Sequence, residues 1–199
     1  MKKKIGVKKK IVLLLLIIVV AVLVIFLSFN LYILVSTPKQ YMIESENYFD
    51  YQPHYECSGY SSAYVLRSLG ENADGLELYN DITNKNNDGT VAPENLIEFL
   101  KTKGYSVNLC NGTMLQLKNE ISKGTPVIVF VRVSPGENYY HYLPIVGYDE
   151  NNLYAAESLQ YMTNAENEHY NRMISNRDFE NMWETGIFRK NMYITIGLK

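Results

Sequence analysis

Cysteine is scarce in this chain: its 199 residues hold two, Cys57 and Cys110. That excludes a disulfide-stapled scaffold and a four-cysteine zinc site. A basic excess is lacking as well. The formal charge is −2, which argues against a nucleic-acid binder, a class that normally carries a strong surplus of Lys and Arg. No internal repeat and no low-complexity tract is visible. With 20% charged and 47% hydrophobic residues, the chain is neither disordered nor collagen-like. Its length suits one domain with an appendage.

The most informative absence is local: no Asp or Glu stands before Glu44. Six of the first ten residues are Lys2, Lys3, Lys4, Lys8, Lys9 and Lys10. Setting those six aside leaves 13 basic against 21 acidic residues, so the remainder carries −8. A basic head is joined to an acidic body.

Between them runs Ile11 to Val35, 25 positions in which only Ser28, Asn30 and Tyr32 bear polar atoms. About 20 apolar residues in a helix cross the hydrocarbon core, so residues 11–35 read as a transmembrane signal-anchor helix with the bilayer as a partner. Residues 1–10 then form a cytoplasmic basic segment, and the positive-inside rule puts the body outside the cytoplasm. The competing reading is a cleaved secretory signal, whose apolar stretch is usually about 7–15 residues and ends in a small-x-small site. The run here is longer and offers no Ala-x-Ala. Residues 36–40 read as a linker and 41–199 as one domain, long enough to bury a core.

The body begins with helical patterns and turns strand-rich. Ser58–Leu69 reads as a helix stopped by Gly70, Leu76–Ile82 as a short helix, and Asn84–Gly89 as a turn cluster. Pro93–Lys103 has Pro in its first turn and Gly104 behind it; Met114–Lys123 has Thr113 as a cap and Gly124 after it. Tyr105–Cys110, Pro126–Val133 and Met192–Leu198 read as strands. His141–Tyr148 and Leu153–Ser158 flank a turn and read as a hairpin. Asn176–Glu184 reads as an amphipathic helix, with Phe179 and Trp183 four apart. Tyr41–Gln52 is expected to be extended or irregular. Helices followed by an antiparallel sheet make an α+β pattern.

Cys57 stands just ahead of the first of these helices. There the macrodipole and the unpaired backbone N–H groups favour thiolate, the nucleophilic form. Gln52, a few residues upstream, can aim its amide N–H at an oxyanion. His141, opening a strand, can take the thiol proton and return it to a leaving amine. Glu157, on the neighbouring hairpin arm, can hold the imidazole tautomer and stabilise its charged form. The tyrosines Tyr139, Tyr140, Tyr60 and Tyr64 lie near these positions and suit a peptide-binding cleft, although a Tyr-rich core and surface accounts for most of the 17 tyrosines. Cys110 reads as a core residue and His54 as a solvated one that can line a cleft.

The order Gln, Cys, His, carboxylate, and the segments QPHYECSGYSSAYVLRSLG and HYLPIVGYDENNLYAAES, resemble the papain-like cysteine peptidases that process bacteriocin leaders at double-glycine sites. The resemblance runs from about Gln52 to Trp183. It implies a papain-like fold, with N-terminal helices packed on an antiparallel sheet. It implies Cys57 as nucleophile, His141 as base, Gln52 as oxyanion donor and Glu157 at the place of the orienting Asp. Three departures stand out: Ser58 separates Cys57 from Gly59, Gln52 is one residue closer to the cysteine than usual, and Glu157-Ser158 replaces Asp-Pro. Neither the exporter nor the ATPase that accompanies familiar members is encoded, so a standalone membrane-anchored member is the closer comparison. The expected partner is a peptide or protein substrate, with no nucleic acid, cofactor or metal; Cys57, His141 and Glu157 match no compact zinc spacing. Two other classes stay open. One is a catalytically silent binding module on the same fold. The other is a Cys/His amidase or acyltransferase.

Overall fold

A computed structural model describes residues 6–186 and 189–199. Lys2, Lys3 and Lys4 of the basic head lie outside them. The described chain divides into two compact units, one ending at Thr37 and one beginning at Pro38. The first is helix α1, Val7–Ser36. Its stretch Lys9–Ser36 has a mean hydropathy of 3.6 and is long and apolar enough to cross a membrane, a test that a signal sequence near the N-terminus also passes. From Ile11 to Val35 the apolar side chains of α1 stand exposed, Ile33 excepted. A surface helix of a soluble domain would instead show a polar face.

The second unit is a seven-stranded antiparallel sheet with helices on both faces. In chain order its elements are β1 (Tyr41–Met42), α2 (Cys57–Ser68), α3 (Gly75–Asp81), α4 (Pro93–Thr102), β2 (Ser106–Asn111), α5 (Met114–Ile121), β3 (Val127–Arg132), β4 (Tyr140–Tyr148), β5 (Asn152–Ala155), β6 (Arg172–Ser175), α6 (Asn176–Trp183) and β7 (Met192–Gly197). The strand order is β2-β7-β3-β4-β5-β6, with β1 added against β4. The run VIVFV of β3, ahead of Arg132, is apolar and buried because both of its faces are covered. Val127, Val129 and Val131 pack with Leu117 and Ile121 of α5 and with Phe179, Met182 and Trp183 of α6. Ile128 and Phe130 pack on the other face, with Ala63 and Leu66 of α2 and Leu96 and Leu100 of α4. Each fully buried Leu, Ile or Phe contributes about 1.5–3 kcal/mol, so this double-sided core holds β3 and β4 as a rigid platform.

Local signals set the helix bounds. Thr113 and Gln116 form a capping box on α5, and the Ser175 side chain accepts from Asp178 N at the start of α6. Pro93 opens α4. Two elements, β5 and β6, depart from the sequence expectations. β1 is a two-residue strand within the stretch expected to be extended or irregular; it pairs Met42 with Gly147, where a Cβ would meet Tyr41 O at 2.7 Å. β6 pairs with β5 where no strand was expected, because its four residues carry no period-two apolar signal. β5 ends at Ala155, so Glu157 lies beyond the hairpin arm in an extended segment, one residue past Ala156, whose N–H donates to Pro144 O at 2.9 Å.

Two contacts aim α2. Its Gly59 crosses α3 at Gly75 so closely that a Cβ on Gly59 would fall 2.2 Å from Gly75 O. The buried Ser61 hydroxyl donates to Tyr142 O of β4 at 2.7 Å, which ties the helix that begins with Cys57 to the residue after His141.

Candidate active site

Cys57 is the first residue of α2 and is partly exposed. Its backbone N–H is among those a helix N-terminus leaves without an intrahelical acceptor. Glu56 caps the helix position before it, and its carboxylate accepts from His54 N at 2.7 Å, which turns the preceding loop back on itself. Cys110 lies in β2, partly buried against the core, and both thiols are free.

His141 is the second residue of β4, across from Val131 of β3, and is buried. Its Nε2 lies 2.8 Å from Glu157 Oε1. The ring also hydrogen-bonds the Cys57 side chain. The imidazole thus interacts with both the carboxylate, through Nε2, and the thiol. Burial by itself would lower the His141 pKa, but the Glu157 charge and the hydrogen bonds to Cys57 and Glu157 prevail and raise it to about 10. Burial would conversely raise Glu157; the His141 charge and hydrogen bond, Arg172 and the Leu159 N–H prevail and take it down to about 2. The resting arrangement is therefore an ionised carboxylate against an imidazolium.

Glu157 is held from every side. Its Oε1 also accepts from Leu159 N at 2.7 Å. Its Oε2 accepts from Arg172 Nη1 at 2.7 Å. Its backbone is clamped by Asn171, whose Oδ1 accepts from Glu157 N at 2.6 Å and whose Nδ2 donates to Glu157 O at 2.8 Å. The extra methylene of a glutamate is thus accommodated by an extended segment beyond the strand. Asn171 and Arg172, both buried, were not among the residues singled out from sequence. The signal that could have found them is an Arg-containing four-residue strand beside the hairpin, too short to announce itself.

Gln52 stands beside this segment. Its N–H donates to Ser158 O at 3.0 Å, and its Oε1 accepts from Ser158 Oγ at 2.6 Å. Its Nε2 donates to His54 O at 2.7 Å. Gln52, Cys57 and His141 line one cleft of about 540 Å³, together with Tyr55, Tyr139 and Tyr161. Those three tyrosines are largely exposed and form aromatic walls at its mouth. Tyr60 and Tyr64 pack elsewhere, on a small pocket behind Glu157. His54 also lines the main cleft. Among the described residues no cluster of three or more His, Cys, Asp or Glu has the arrangement of a metal site. A partly exposed thiol, a buried base and an anchored carboxylate on an open cleft can carry out nucleophilic attack on a carbonyl.

The same architecture occurs in solved structures. The peptidase domain of Streptococcus ComA, a bifunctional ABC transporter involved in a quorum-sensing pathway, superposes with a TM-score of 0.60 at 19% identity, over 77% of this chain and 99% of that one. A putative C39-like peptidase from Bacillus anthracis gives 0.63 at 18% identity, over 79% and 98%. A double-glycine-motif protease from an AMS/PCAT transporter, solved in complex with a leader peptide, gives 0.56 at 15% identity, over 80% and 99%. No curated protein matches the chain. These likenesses establish the fold. The Peptidase_C39 like family model matches residues 39–188, nearly the whole second unit, and the chain belongs to that family.

Proposed function

We propose that the chain is a membrane-anchored cysteine peptidase whose 41–199 domain works on peptides or small proteins outside the cytoplasm. Cys57 attacks the scissile carbonyl while its proton resides on His141. Gln52 donates to the oxyanion, and Glu157 keeps the imidazole oriented. The tetrahedral intermediate collapses as the imidazolium protonates the leaving amine. Water, deprotonated by the same imidazole, then releases the acyl group from sulfur. The observation that carries this reading is the hydrogen-bonded series thiol, imidazole, carboxylate on a peptide-sized cleft. The leader peptide bound to one structural neighbour supports an extended peptide as ligand class.

One observation favours the silent binding module instead: the Gln52 amide spends an N–H on His54 O. An amide has two such hydrogens, and the peptidase reading assigns the second to the oxyanion. A peptide library presented to the full chain in detergent, with Cys57→Ala as control, decides between them. Cleavage that disappears in Cys57→Ala is expected. Peptide retention by both proteins without cleavage would leave only the binding module.

A further inference from the structure

Arg172 is the only Lys or Arg that is buried among the described residues. It comes from β6, the strand the sequence did not announce. Nη1 donates to Glu157 Oε2 at 2.7 Å and Nη2 to Val133 O at 2.8 Å, so the guanidinium bridges the carboxylate and the end of β3. The opposite carboxylate oxygen faces His141. A buried guanidinium is retained only where its charge is matched.

Counting charge across the four groups shows what it does. Arg172 and Glu157 cancel. Cys57 and His141 sum to zero both as thiol and imidazole and as thiolate and imidazolium. The proton that passes from sulfur to nitrogen therefore changes no net charge inside the protein. Without Arg172 the carboxylate would leave the group at −1 in both forms. Loss of the thiol proton beside the imidazolium would then take the group from 0 to −1 instead of from +1 to 0, and loss of the imidazolium proton from −1 to −2, so each would need a higher pH. The other charges facing this cluster do not supply the balance. Asp50 and Arg67 share the small pocket behind Glu157 and carry opposite signs. Asp88, His54 and Arg189 line the cleft, with Arg189 3.7 Å from Glu94.

We propose that Arg172 is a positioning residue that anchors the far oxygen of Glu157 and cancels its charge, so that the Cys57–His141 pair forms near neutral pH. This rests on the peptidase reading, and the test separates the two. The full chain in detergent is alkylated with iodoacetamide from pH 3 to 9. Labelling is resolved by peptide mass, with Cys110 as internal reference and circular dichroism as a check of fold. In the unmodified chain, Cys57 should react faster than Cys110 with a distinct acid limb. Arg172→Gln, which keeps hydrogen-bond donors but not the charge, should displace that limb upward by about half a pH unit or more, and Arg172→Lys should return it to within about 0.2 unit. Should Arg172→Gln fail to fold, the guanidinium is read in Glu157→Gln against Glu157→Gln with Arg172→Gln, where its loss again moves the limb upward. A slower reaction with an unmoved limb in the charge-free variants would overturn the proposal and leave Arg172 a structural strut. Cys57 no more reactive than Cys110 in the unmodified chain would overturn the peptidase reading itself, whatever Arg172 does.

Discussion

The pairing of His141 with Glu157 has consequences that a single side chain can report. Glu157 is depressed from 4.5 to about 2, so its contribution to stability is complete above pH 4.5 and disappears as the pH falls through about 2. His141 is raised from 6.5 to about 10, so its contribution is complete below pH 6.5 and is lost as the pH rises through about 10. Both are complete between those limits, and urea midpoints should peak from about pH 4.5 to 6.5 and decline on each side. Glu157→Gln should flatten that peak and leave Arg172 buried without its anion, at a cost of about 3–5 kcal/mol by urea titration. In a peptide-cleavage assay the same variant should lose about a hundredfold or more in kcat, the scale of a misplaced general base. Cys57, His141, Glu157 and Gln52 could be named as candidates because they follow a familiar order along the chain, and Gln52, Cys57 and His141 line one cleft. Asn171 and Arg172 could not be named, because nothing in the string NRMIS says that its Arg turns inward toward a carboxylate 15 residues earlier.

Elements announced by punctuation, and the apolar strands β2, β3, β4 and β7, were read to within a residue or two; the short strands β1 and β6, which carry no pattern of their own, were not. Gly70, Gly104, Gly124, Pro93 and Thr113 mark helix ends through local conformation, so α2, α4 and α5 could be bounded without knowing their neighbours. β1 and β6 exist because β4 and β5 offer them hydrogen bonds, a cause that lies elsewhere in the chain. The sheet order, with β7 between β2 and β3, is equally a property of tertiary contact. Gly59 shows how an element-level constraint reaches the site. The atom a Cβ would strike is backbone, Gly75 O, which no rotamer change can remove. Gly59→Ala should therefore force α2 and α3 apart and cost about 1–3 kcal/mol or more in urea midpoint. Gly197→Ala is the control, since nothing lies within 4 Å of a Cβ there, and it should be near neutral. Ser61→Ala removes the 2.7 Å tether between α2 and β4 and leaves Tyr142 O buried without that donor. A loss of about 1–3 kcal/mol is expected, and slower Cys57 alkylation should accompany it because the thiol is aimed by that helix.

At the scale of the whole molecule the question is whether α1 holds the cleft at a membrane, and on which side. Helix α1 has 30 residues, which at about 1.5 Å each gives about 45 Å, against a hydrocarbon core of about 30 Å. A helix of that length has room to span with tilt and still carry Lys9 and Lys10 into the headgroup region. The proposed direction rests on charge: six lysines precede the apolar run, and no acidic residue stands before Glu44. The orientation is testable with the thiols the chain already has. A membrane-impermeant maleimide added to intact cells should label Cys57, which lines an open cleft, and Cys57→Ala should remove most of that signal. Replacing the six lysines with glutamate should cut labelling from outside, since the proposed topology relies on their basic bias. Intact mass separates the anchor from a cleaved signal: a retained helix gives the full 22.9 kDa chain in the membrane fraction, and processing gives a shorter soluble one. Labelling confined to permeabilised cells would reverse the topology and place the cleft, and whatever peptides it accepts, in the cytoplasm.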